Sequence, residues 1–164
     1  MEGRTPEDLA PAEGLGLFDQ RLLVLDVREC HGGDPDTVQL LVSHLVGAEP
    51  VRLVDVESRV EGRRQRWTHP VDERRFGPDR PVLVLTSAAT FSGGEEVAFD
   101  VQLLGRGRVV GERTRGGANP REGIAVHPEL ELAVPVARAL SPHDDSSWEG
   151  VGVQPDLECP AGEA

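Results

Sequence analysis

Apolar positions in this chain fall into short continuous runs separated by turn residues. The first run, Leu22 to Val27, is interrupted only by Asp26. Unbroken hydrophobics of this length predict a parallel strand buried on both faces. Gly32-Gly33 then predicts a turn, and Asp34 followed by Pro35 predicts the N-cap and first position of a helix. Val38, Leu41, Val42 and Leu45 recur at helical spacing, and Gly47 closes that segment. Val51 to Val56 reads as the next strand, completing a strand-helix-strand unit. Residues 57–80 are polar and Arg-rich, which predicts a hairpin or extended surface excursion. Its Arg63-Arg64-Arg66 cluster reads as a solvated edge that discourages strand pairing.

The same alternation then repeats. Val82 to Leu85 is a second buried run, Thr86 to Phe91 a loop, and Ser92 to Leu104 a helix with Val97, Ala98, Val101 and Leu104 on one face. Gly105 stops the helix, and Arg108 to Gly111 forms the next strand. A Gly-rich loop over residues 115–120 precedes two β-like stretches, Ile124 to His127 and Leu130 to Val136, expected as a C-terminal β-hairpin. The fold class predicted is α/β, with a largely parallel sheet built from βαβ units. Ligands in such sheets bind beyond the carboxyl ends of the strands. That edge receives the loops after Val27, Leu85 and Val110, where the unusual residues concentrate. Residues 1–20 read as a flexible tail or linker, 21–157 as the core and 158–164 as a tail.

Charge narrows the partners. The net charge is −12, so phosphate backbones are repelled and nucleic acid is not expected. All 17 basic residues are Arg, so any chemistry that needs a lysine base has no candidate. No apolar run reaches the roughly 18 residues that span a bilayer, and residues 1–16 lack the basic and apolar regions of a signal peptide. No membrane partner is expected, and the default compartment is the cytoplasm, with a secreted or periplasmic site open if the N-terminus is truncated. Cys30 and Cys159 read as two free or buried thiols. No metal site is expected, because no Cys/His pair has zinc-ligand spacing. No cofactor is expected either.

Ser92 sits where a loop enters a helix, and two glycines follow it. Backbone N–H groups at a helix start are unpaired and partially positive, so an oxyanion formed there could be held by the N–H of Gly93. The same residues, Ser92-Gly93-Gly94-Glu95, also spell a capping box. Gly32 could supply a second oxyanion donor or could be a plain turn. Among five histidines, His31 alone lies in a loop expected near Ser92, which makes it a possible base. Glu149 could orient a base or bind a substrate amine, or be a surface acid.

Four blocks in order carry a resemblance. Leu25-Asp26-Val27-Arg28 with Gly32-Gly33, Thr86-Ser87 through Thr90-Phe91-Ser92-Gly93-Gly94-Glu95, Gly105 to Glu112 with Thr114, and Trp148-Glu149-Gly150-Val151-Gly152-Val153 with Pro155-Asp156 resemble the tail-specific (C-terminal-processing) serine protease family over residues 20–157. The resemblance implies a crotonase- or ClpP-like core, Ser92 as nucleophile, and Gly32 and Gly93 as the oxyanion hole. One branch of the family uses a lysine base; its matching position here is Gly117, and composition excludes it. The other branch, similar to the tricorn core and the repeats of interphotoreceptor retinoid-binding protein, places Glu149 at the glutamate of a Ser-His-Ser-Glu tetrad. The His and second Ser of that tetrad come from an upstream helical segment that residues 1–20 do not resemble, and the usual Asn-and-Gly turn reads Glu29-Cys30-His31. The resemblance implies a partial catalytic domain that cleaves a peptide or protein substrate. The alternative is a non-catalytic module of the same fold that binds peptides or apolar ligands. A homo-oligomer stays open.

Overall fold

A computed structural model describes residues 21–71, 75–160 and 162–163. The tail or linker expected over residues 1–20 lies outside the described residues. Strand β1 (Leu23–Asp26) is followed by helix α1 (Pro35–Leu45), β2 (Arg52–Ser58), β3 (Gly62–Trp67), β4 (Val82–Thr86), helix α2 (Gly93–Leu103) and β5 (Arg108–Gly111). Strands β6 (Arg121–His127), β7 (Leu130–Pro135), β8 (Ala137–Leu140) and β9 (Leu157–Glu158) complete the order.

One sheet has the order β1-β4-β5-β9, with every neighbour parallel. Its β4-α2-β5 segment is the βαβ unit expected. The first expected unit resolves differently, because β2 does not join β1. Instead β2 lies at the centre of an antiparallel sheet ordered β3-β2-β8. Asp55 explains part of the choice. It is wholly buried within β2 and is bonded by Arg52 at 2.6 Å and by Arg63 of β3 at 2.5 Å. Burial alone would raise this carboxyl, yet the two guanidiniums hold it below the usual range. Within the Arg cluster, Arg63 neutralises this buried acid, while Arg64 stays exposed on β3, an edge strand of the sheet. Arg66 turns back to α1, where it donates to the carbonyl of Pro35 and to Gln39.

Helix α1 begins as its sequence predicts: the Asp34 carboxylate accepts from the Thr37 N–H at 3.1 Å, and Pro35 follows. Val42, Leu45, Leu53, Val54, Val84, Ala98, Val101 and Val109 form the centre of the core, between the helices and the sheets. β1 is at the edge of its sheet, and among the described residues nothing covers its second face, where Leu22 and Val24 are each 46% exposed. Pairing runs further toward the C-terminus than expected. Glu158 is in β9, and the Cys159 N–H bonds the Gly111 carbonyl. The expected C-terminal hairpin is β6–β7, a two-stranded sheet of its own. Both cysteines are free and half-buried. Among the described residues, no helix is long and apolar enough to cross a membrane.

Candidate active site

The loops leaving β1, β4 and β5 meet at the carboxyl edge of the parallel sheet. Two side-chain hydroxyls and a backbone N–H stitch the β4 loop to the β1 loop. Thr90 donates to the Val27 carbonyl at 2.8 Å, Ser87 to the Arg28 carbonyl at 2.6 Å, and the Phe91 N–H to the Cys30 carbonyl at 2.9 Å. Arg28 forks onto Asp26 through Nε and Nη2 at 2.9 and 2.7 Å, and these bonds lower the Asp26 carboxyl from its ordinary value. This pair holds the start of the loop that carries Cys30 to Gly33.

Ser92 ends the β4 loop and caps α2, with φ 53° and ψ −117°. An ordinary N-cap is extended, and a positive φ costs a residue with a Cβ about 1–3 kcal/mol. The strained turn separates Ser92 from a routine cap. It also brings the serine to the Gly32-Gly33 turn. A Cβ built on Gly32, whose own φ is 135°, would lie 3.4 Å from Ser92 Cβ and 3.6 Å from its Oγ. One on Gly93 would stand 3.0 Å from the Gly33 nitrogen. Ser92, Gly32 and Gly93, predicted separately, thus converge on one point.

The residue that sequence reasoning undervalued is Glu95. Its side chain is 0% exposed, and four donors converge on it. Oε2 accepts from the N–H groups of Ser92 and Gly117, each at 2.8 Å. Oε1 accepts from Thr114 Oγ1 at 2.5 Å and from the Gly116 N–H at 2.6 Å. A buried carboxylate is tolerated when its lone pairs are filled this way. Glu95 therefore does more than close a capping box: it ties the strained serine to the loop after β5. An acid in the first turn beside two glycines was the available signal, and a cap explained it too easily.

Glu149 acts on the adjoining residues of that loop. Its Oε2 accepts from the N–H groups of Ala118 at 2.7 Å and Asn119 at 2.9 Å. Buried Trp148 anchors it by packing against Phe99 of α2, with ring centroids 4.7 Å apart. The glycines that follow let the backbone close in. Gly152 has φ 74°, and a Cβ there would collide with the Thr114 carbonyl. Gly117 is likewise covered by the Phe91 ring, on which the Arg115 guanidinium stacks at 5.0 Å. A longer side chain at 117 has no room without displacing Phe91. His31 is exposed and directly precedes Gly32.

The peptidase family S41 model matches residues 15–159, most of the sequence. The chain belongs to peptidase family S41. Solved structures agree on the fold. The photosystem II D1 C-terminal processing protease is 25% identical, with a TM-score of 0.69 over 86% of this chain and 35% of that one. Mature CPAF is 14% identical, with a TM-score of 0.75 over 99% of this chain and 45% of that one. The tricorn protease is 20% identical, with a TM-score of 0.53 over 88% of this chain and 13% of that one. This S41 chain thus spans less than half the length of each of these three structures.

Proposed function

We propose that this chain is the nucleophile-bearing core of a serine peptidase, acting through an acyl-enzyme at Ser92. The observation that carries the reading is the strained Ser92 turn at the start of α2, set against Gly32. Ser92 Oγ attacks the scissile carbonyl, forming the C–O bond while its proton passes to a base. Collapse of the tetrahedral intermediate breaks the C–N bond, the amine leaves with a proton, and water then hydrolyses the ester. The Ser92 N–H is already engaged by Glu95, so it does not serve the oxyanion. The donors in this reading are the N–H groups of Gly93, in the first helical turn where no intrahelical partner exists, and of Gly32. His31, which adjoins the turn that faces the serine, is the candidate base within these residues; the alternative is a base supplied from outside this chain. Glu149 is a positioning residue that pins the loop at Ala118 and Asn119.

Labelling with a fluorophosphonate probe tests this. Modification mapped to Ser92, absent in Ser92→Ala and strongly reduced in a folded His31→Ala variant, is the expected result. A folded wild-type chain that is not labelled would sink the reading and leave the cleft a binding site. Labelling that His31→Ala leaves unchanged would remove His31 alone.

A further inference from the structure

The β6–β7 hairpin begins immediately after the loop that Glu149 pins, and its base is closed by the Val136 N–H on the Pro120 carbonyl at 2.9 Å. Among the described residues it pairs with no third strand. Ile124 and Leu132 are cross-strand partners and share a face, which Leu130 continues along β7 opposite His127; Val126 sits in the bulge beside them, where the register shifts. These four side chains are 47%, 54%, 61% and 63% exposed for Ile124, Leu132, Val126 and Leu130. A free two-stranded ribbon has marginal stability in water, so a segment packed on this apolar face would stabilise it.

We propose that this face docks an extended, apolar substrate segment with basic flanks and delivers it toward Ser92. Two arguments select that occupant over a second copy of the chain. Two strands of this length offer a footprint of about 24 by 10 Å, well short of the roughly 800 Å² per partner that a stable protein interface takes. Charge points the same way. The chain carries −12, so two copies repel. The hairpin adds Glu122, Glu129 and Glu131 against Arg121, which favours a cationic segment. The proposal rests on the peptidase reading in taking this segment to be part of the substrate.

Binding is measured by fluorescence anisotropy on Ser92→Ala, so that no cleavage intervenes. The probe is a fluorescein-labelled decapeptide with leucine at alternate positions and paired lysines at both ends. Ile124→Ser combined with Leu132→Ser is expected to weaken binding about tenfold, as loss of two apolar anchors implies. Val60→Ser, which removes an apolar side chain 94% exposed elsewhere, is expected to change nothing. Leu130→Ser serves as a milder variant, and circular dichroism melts check that each protein folds. Binding should also weaken at about 0.5 M salt, where charges are screened within a few Å. Absent binding, or equal binding by the double variant, overturns the proposal. So does sedimentation showing a dimer that the double variant dissociates, since the face would then belong to a second copy. The fluorophosphonate experiment on the wild type stands apart: its failure removes the nucleophile and leaves the binding result intact.

Discussion

Glu96→Gln should stabilise this protein at neutral and alkaline pH. Glu96 lies on α2, 8% exposed, one turn before the wholly buried Asp100. Burial is the main reason its carboxyl is pushed from 4.5 to about 7; Arg66 opposes the shift, while Asp34 and Asp36 add to it. Asp100 is driven well above its ordinary value by burial, and further by Glu96. Both of its oxygens are buried without a well-formed hydrogen bond. A raised carboxyl means that the folded chain holds a proton the unfolded chain has released. Between pH 4.5 and about 7 the folded state therefore binds more protons, and stability falls as pH rises through that window. Each tenfold difference in proton affinity is worth about 1.4 kcal/mol, which makes the Glu96 contribution about 3 kcal/mol at most. Glutamine mimics the protonated form and should recover much of that at pH 8, with little change at pH 4. Urea denaturation of both proteins across that range measures it. Parallel stability curves would refute the reasoning, because they would mean that Glu96 titrates alike in the folded and unfolded chains.

Other outcomes follow from the same geometry. Glu95→Gln keeps one acceptor oxygen but turns an NH2 group toward two of the four donors that met the carboxylate; urea titration should show a loss of about 3 kcal/mol, and a folded remnant should label poorly with fluorophosphonate. Gly152→Ala forces a Cβ against the Thr114 carbonyl at a positive φ, and should lower stability by more than about 1 kcal/mol, read as a drop in Tm. Asp34→Ala removes the α1 cap; about 1 kcal/mol is expected in the same assay, with Ser92 labelling unchanged.

What the sequence disclosed depended on how local the cause was. The start of α1 was legible because Asp34 and Pro35 act within one turn. The parallel order of β4 and β5 followed from the helix between them. The placement of β2 was not legible, since a run such as Val51 to Val56 reads alike in either sheet. Of the deciding partners, Arg63 lies in the neighbouring segment that read as solvated surface, and the strand β8 lies far along the chain. The openness of β1 was missed because hydrophobicity reports what a side chain prefers, not whether a layer covers it. At the site, glycines and serine announced themselves through their backbone needs. Glu95 did not, because its role requires Thr114, Gly116 and Gly117 to be in place.

That dependence sets an order of events during folding. The bonds that hold the Ser92 loop join positions 63 and 59 residues apart, from Thr90 to Val27 and from Ser87 to Arg28. Such closures carry a large entropic cost before any contact rewards them, so they belong to the slow, late part of assembly. Secondary structure should return early in a refolding experiment, while Ser92 becomes reactive only when β1, β4 and β5 are in register. On the proposed peptidase reading, fluorophosphonate labelling during refolding would therefore report the closure of these long-range contacts.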